Sequence, residues 1–219
     1  EEEEEGDEDD GEGATKRAAA ALCVGSGYYC DPPGCMGLAH FTEHMVFMGS
    51  EPFPDENEYE RYLQEHGGSC NAYTEAETTV FHFDVRPGAL RGALERFASQ
   101  FASPLFKPDA VGREVRAVDN EFTQAAQSDG ARAAMVQAAT AAEGHPFSQF
   151  GWGNARSLVD LPREAGVDVR GAMLGYHAEH YRADRMCLVV LGAEGVGELQ
   201  GWAEELFGSV RGGGGARPS

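Results

Sequence analysis

No apolar run in this sequence approaches the roughly 20 residues of a membrane span, which leaves no candidate bilayer-crossing helix. No Cys-x-x-Cys pair is present either. The five cysteines (Cys23, Cys30, Cys35, Cys70 and Cys187) are odd in number and irregular in spacing. That argues against a disulfide framework and for a reducing compartment, so a cytoplasmic location is expected, with a cell-surface fraction as the alternative. Clusters of Lys and Arg are absent: 17 basic residues face 37 acidic ones, for a net charge of −20. Nucleic-acid phosphates are therefore poor partners, and basic peptides better ones. Gly25-Ser26-Gly27 lacks the third glycine and the following helix of a dinucleotide fingerprint. There is no internal repeat.

What remains is 219 residues, 42% hydrophobic, enough for one sizeable domain or two small ones. The charge is uneven: 10 of the residues from Glu1 to Gly13 are acidic. Such a block cannot collapse on itself, so residues 1–17 are predicted to be a disordered tail. A start at Glu1, inside an acidic run, is what a piece of a longer chain would show. Residues 18–210 are predicted to form the domain, and the glycines from Gly212 to Gly215 mark 211–219 as a flexible tail.

Within the domain, Ala18 to Val24 reads as a buried strand, followed by a turn-rich loop through Asp31-Pro32-Pro33-Gly34. Leu38, Phe41, Met45 and Met48 recur at helical steps, predicting a helix over Gly37 to Met48. A second helix is predicted over Glu56 to His66, then strands over Asn71 to Thr74 and Thr78 to Val85. Helices follow from Pro87 to before Pro104, from Lys107 through Phe122, and near Arg132 to Ala142. His145 to Leu161 reads as loop, Asp168 to Tyr181 as helix, Met186 to Leu191 as a buried strand, and Val196 to Phe207 as a last helix. The fold class expected is α+β, a mixed or antiparallel sheet with helices packed on one side.

His40-Phe41-Thr42-Glu43-His44 carries the chemistry. Four helical residues advance about 400°, so His40 and His44 share a face and can turn ring nitrogens on one metal ion. Glu43 lies about 60° off the line toward His40, where a general base for hydrolysis belongs. A helix that simply buries or exposes two histidines is the alternative. Two histidines do not complete a catalytic zinc site, which has three protein ligands. Glu114 and Glu121, seven apart, fall within about 20° of one helix face beside the stripe Val111, Val115, Val118 and Phe122. One could ligate while the other holds a histidine ring; equally, both could be solvated acids.

At these residues the sequence resembles the pitrilysin-type (insulinase) family of inverted-motif zinc metallopeptidases. Gly37 to Ser50 resembles the family's zinc helix. Pro54-Asp55-Glu56-Asn57, His66-Gly67-Gly68-Ser69, Arg113 to Glu121 and Phe150-Gly151-Trp152-Gly153-Asn154 match family segments in the same order. The likeness spans about residues 16 to 208. It implies one Zn2+ per domain, held by His40, His44 and Glu121, with Glu43 as base and Glu114 in support. Asn71 and Ala72 fall where the family's edge strand takes the substrate backbone. The branch that Val46 to Ser50 and the acidic run most resemble cleaves on the amino side of Arg or Lys at dibasic sites.

Several residues depart from that pattern. Thr42 replaces an apolar spacer, and Tyr28-Tyr29-Cys30 with Cys35 makes an unusual loop, whose thiols are expected to be free. A strand before the acidic run and the remaining domains of a parent enzyme are missing from the pattern. The expected function is thus a zinc metalloendopeptidase acting on basic peptides, with Glu75 and Glu77 as candidate attractants for their side chains. The alternatives are an inactive fragment or homologue, and a non-catalytic module that captures basic peptides through its acidic tail.

Overall fold

The computed structural model describes residues 17–142 and 144–213. The predicted acidic tail lies outside them except for Arg17, whose guanidinium donates to Asp84 at 2.7 Å. Most of the glycine-rich tail also lies outside, although the Arg211 carbonyl accepts from the Ala183 N–H at 2.9 Å.

Among the described residues four strands form one antiparallel sheet: β1 (Ala18–Val24), β2 (Ser69–Thr74), β3 (Thr79–Val85) and β4 (Met186–Leu191). Their order is β2-β3-β1-β4, which leaves β2 and β4 at the edges. In β1, Ala18, Ala20, Leu22 and Val24 point into the core and alternate with half-buried residues. The two small inward alanines of β1, Ala18 and Ala20, let helices approach closely, while β3 supplies bulk through Phe81, Phe83 and Val85.

Among the described residues the α-helices are, in chain order, α1 (Leu38–Val46), α2 (Glu58–Glu65), α3 (Leu90–Ala102), α4 (Pro108–Ala125), α5 (Asp129–Ala139), α6 (Leu161–Glu164), α7 (Val169–His180) and α8 (Val196–Phe207). Pro108 at the start of α4 and Asp168, whose carboxylate accepts from the Gly171 N–H, are the start signals expected of such residues. Leu38, Phe41 and Met45 are fully buried, so α1 packs tightly against α4, α7 and β2. Rings of Tyr59, Phe81, Phe83, Phe97 and Phe101 meet mostly edge to face beneath the sheet. The fold is α+β with helices on one side of the sheet, as expected.

Two expectations need correcting. β4 is not buried: Val189 and Leu191 are 61% and 62% exposed, because β4 is an edge strand with one open face. An unbroken apolar run reads as two-sided burial, and here it is not. Residues 145–161 are also not plain loop. They hold a 3-10 turn (Pro146–Ser148) and, further on, a π-helical turn (Arg156–Asp160) that runs into α6. That second start is made by polar exchange, with the Ser157 N–H donating to Asn154 Oδ1 at 2.9 Å and the Asn154 N–H to Ser157 Oγ at 3.1 Å. Apolar periodicity carries no trace of it.

Candidate metal centre

The site is built from α1 and α4, with an irregular loop closing it. The buried stripe of α1 fixes its rotation, and His40 and His44 emerge together from the opposite side. α4 crosses α1 with Val115 and Val118 buried, which brings Glu114 and Glu121 over the two rings. His40 Nε2 and His44 Nε2 lie 3.3 Å apart. Glu121 Oε2 is 3.2 Å from His40 Nε2, and its Oε1 is 3.5 Å from His44 Nε2. A tetrahedral ion with bonds of about 2.0–2.1 Å needs ligand atoms about 3.3–3.4 Å apart. The two imidazole nitrogens therefore already stand at the spacing of two tetrahedron vertices, and the Glu121 carboxylate lies across them with one oxygen against each ring. One ligand atom from each of the three residues lies within 4.8 Å of the others, the one cluster of this kind among the described residues.

Each imidazole spends its other nitrogen on an acceptor. His40 Nδ1 lies 2.7 Å from the Trp152 carbonyl, and His44 Nδ1 lies 3.3 Å from Glu114 Oε2. With both Nδ1 atoms donating outward, both Nε2 lone pairs are left facing the common point. Charge reinforces the arrangement. Burial by itself lowers the His44 pKa, but Glu114 and Glu121 outweigh it and raise it to about 9. The same histidines hold the Glu121 carboxyl well below its ordinary range.

Glu43 is 6% exposed and sits beside this cluster. Burial raises its pKa, against the opposing hydrogen bond from Thr74 and the nearby histidines. The Thr74 hydroxyl donates to Glu43 Oε2 at 2.6 Å, so the end of β2 fixes one oxygen of this carboxylate. Thr42, the polar spacer, is fully buried, and its hydroxyl donates to the Leu38 carbonyl at 2.7 Å. It satisfies itself within the helix and takes no part in the cluster.

The loop that delivers the Trp152 carbonyl depends on two glycines. Gly37, at the start of α1, has φ +87, and a Cβ there would meet Gly153 Cα at 2.1 Å. Gly153 has φ +73. Two backbones thus cross with no side chain between them, and the carbonyl before the crossing reaches His40. Asp119 on α4 secures the same loop, accepting from the Ala155 N–H at 2.8 Å, and Phe122 meets Phe150 edge-on at 5.1 Å.

The cluster opens into a cleft of about 1110 Å³. Asn71 and Ala72 of the edge strand β2 line it, as do Glu56, Glu60 and Glu75, but no Lys or Arg does. Glu77 stands in the β2–β3 turn and is not part of the lining. Cys30 is exposed and Cys35 buried, both as free thiols away from the cluster. Sequence reasoning brought together His40, Glu43, His44, Glu114 and Glu121. It missed Thr74 and the Trp152 carbonyl. Trp152 did lie in a segment singled out for its family likeness, but its role is played by the backbone.

Comparisons with known proteins give the chain a family. Residues 12–149 match the family described as Insulinase (Peptidase family M16), and residues 169–219 match the one described as Peptidase M16 inactive domain. All five clustered residues fall in the first match. A Nardilysin-like protein of Arabidopsis thaliana is 52% identical over 94% of this chain, which covers 20% of that protein. Nardilysin of Homo sapiens is 44% identical over 93% of this chain and 18% of its own length. The chain thus spans about a fifth of the length of these relatives. The crystal structure of pitrilysin superposes with a TM-score of 0.88 at 37% identity, covering 94% of this chain and 22% of that one. A protease from Helicobacter pylori shares the fold alone, with a TM-score of 0.80 at 20% identity, over 94% of this chain and 48% of that one.

Proposed function

Because the chain belongs to the insulinase (M16) peptidase family, we propose that it is the metal-bearing part of a zinc endopeptidase. The observation that carries this reading is the convergence of His40 Nε2 and His44 Nε2, 3.3 Å apart, on the Glu121 carboxylate, whose Oε2 is 3.2 Å from the first and Oε1 3.5 Å from the second. Those three residues would hold one Zn2+, with Glu114 fixing the ring of His44. When bound, zinc supplies Lewis acidity, which makes a water nucleophilic at neutral pH and polarises the scissile carbonyl.

The chain's own residues do the rest. Glu43 takes the proton of the attacking water and later returns it to the leaving amine. Thr74 holds one oxygen of Glu43, which leaves the other for that proton. Burial suits Glu43 to the task, because its raised pKa makes it a better proton acceptor than an ordinary carboxylate. The free edge of β2, at Asn71 and Ala72, takes the substrate backbone as an added strand beside the cluster. Basic substrates, cut on the amino side of Arg or Lys in dibasic pairs, suit a cleft whose charged lining beyond the cluster is Glu56, Glu60 and Glu75. Glu56 already pairs with Arg113 at 2.6 Å, so Glu60 and Glu75 are the freer attractants.

A cytoplasmic setting is part of this reading, supported by five unpaired thiols. Among the described residues no helix is long and apolar enough to cross a membrane. The test combines elemental analysis with a dibasic fluorogenic peptide. One equivalent of zinc and turnover that disappears on chelation and returns on zinc addition are expected. Binding of no zinc by the intact protein would overturn the reading.

A further inference from the structure

Among the described residues two carboxylates are buried, Glu43 and Asp31, and the chemistry above uses only the first. Asp31 is 5% exposed in the loop between β1 and α1. No Lys or Arg among the described residues forms an ion pair with it. Its two oxygens accept from backbone, Oδ2 from the Gly37 N–H at 2.6 Å and Oδ1 from the Ala39 N–H at 2.7 Å. Burial pushes its pKa up to about 7, against the pull of the Ala39, Gly37 and Leu38 N–H groups.

A helix start ordinarily takes its acceptor from its own N-cap side chain. Here the N-cap is Gly37, which has none, and no residue with a Cβ fits there because Gly153 Cα occupies the place. The first N–H groups of α1 must therefore find an acceptor elsewhere, and Asp31 supplies it from six residues upstream. The same glycine is the lower half of the crossing that aims the Trp152 carbonyl at His40 Nδ1. Ala39, the second residue Asp31 holds, is the neighbour of His40 itself. Asp31, Gly37, Gly153, Trp152 and His40 thus form one continuous line of contacts. Tyr28, from the same loop, flanks it: a Cβ on Gly151 would meet the Tyr28 ring at 2.5 Å.

We infer that Asp31 is a positioning residue for the metal centre, holding Gly37 and Ala39 so that the Trp152 carbonyl stays aligned on His40 Nδ1. The inference rests on the zinc reading above. It separates Asp31 from a plain helix cap, which would stabilise the fold without influence on the metal.

The test is Asp31→Asn in the intact protein, with zinc affinity measured by chelator competition and metal-free Tm measured separately. Ser26→Ala serves as control, since it removes a 2.8 Å bond to Tyr176 nearby without touching the start of α1. Zinc binding in Asp31→Asn is expected to weaken by about ten- to a hundredfold, the range for groups that orient a metal's ligands. The visible spectrum of the cobalt-substituted variant is expected to shift. Ser26→Ala is expected to lower Tm with zinc affinity within about twofold of the wild type. Should Asp31→Asn fail to fold, Asp31→Ser, whose hydroxyl can accept one of the two bonds, is held to the same thresholds. Unchanged zinc affinity in the Asp31 variant, or an equal loss in Ser26→Ala, overturns the inference while the zinc reading stands. A wild-type protein that takes up no zinc overturns both.

Discussion

The two histidines of the candidate metal centre sit one helical turn apart, yet they are supported in opposite ways. His44 leans on a side chain, the carboxylate of Glu114 on a regular helix. His40 leans on main chain, the Trp152 carbonyl at the end of an irregular loop. A side-chain support adds charge, and Glu114, together with Glu121, raises the His44 pKa to about 9 against the lowering by burial. A carbonyl support adds direction without a full charge, and its accuracy depends on how the backbone is held. One arm of the site is therefore electrostatic and the other conformational.

The largest effect expected touches neither arm. Glu43→Gln should leave zinc content unchanged and lower kcat by about 10²- to 10⁴-fold, the usual worth of a general base. Retained turnover at full zinc occupancy would remove Glu43 from that role. Next comes the electrostatic arm. Glu114→Gln should weaken zinc binding by about 10- to 100-fold, as chelator competition can measure. If His40 and His44 lost support equally in that variant, by NMR of the ring nitrogens, the contrast between the arms would be gone.

The pH dependence sharpens the same point. Metal binding must displace the His44 proton, so apparent zinc affinity should climb about tenfold per pH unit and level off near pH 9. In Glu114→Gln the plateau should begin at lower pH. In the metal-free protein the sign follows from a raised pKa. The contribution of protonated His44 to stability is complete below about 6.5 and is lost as pH rises through about 9. A metal-free Tm that climbs across that interval would contradict it.

The smallest expected effect is on the conformational arm. A Cβ at position 153 would strain the positive φ and press on Gly37 Cα at 3.1 Å and on Leu158 and Val118 at 3.2 Å. Gly153→Ala should weaken zinc binding by about tenfold, mostly through His40, and leave the plateau near pH 9 in place. A shift of that plateau would mean that the arms are not separate.

Much of this was legible in the residues, for a physical reason. Periodicity reports which side chains share a face, so α1 and α4 and their His and Glu residues could be placed before any coordinates. β1 was read from a short apolar run bounded by Gly25, and β2 and β3 from strand-forming bulk on either side of a polar turn. β4 misled because an apolar run does not say which face is covered. The Trp152 carbonyl was invisible because every residue owns a carbonyl and only loop geometry selects one. Asp31 was hidden differently. It looked like a turn former among prolines, and nothing local announces that it caps a helix six residues on. Thr74 was assigned to its strand, but its reach to Glu43 depends on how α1 lies across the sheet edge.

The bare backbone crossing of Gly37 and Gly153 has a consequence for protein engineering. Transplanting the His-x-x-Glu-His helix alone into a new scaffold would carry two imidazoles but neither of the groups that orient them, and adding α4 would restore only the support of His44. A faithful graft must import a second, distant stretch of polypeptide and lay it against the first at a separation that only two hydrogens in place of side chains permit. The transferable unit is a pair of strands of chain in contact, and a library that varies either contact point should return glycine and little else.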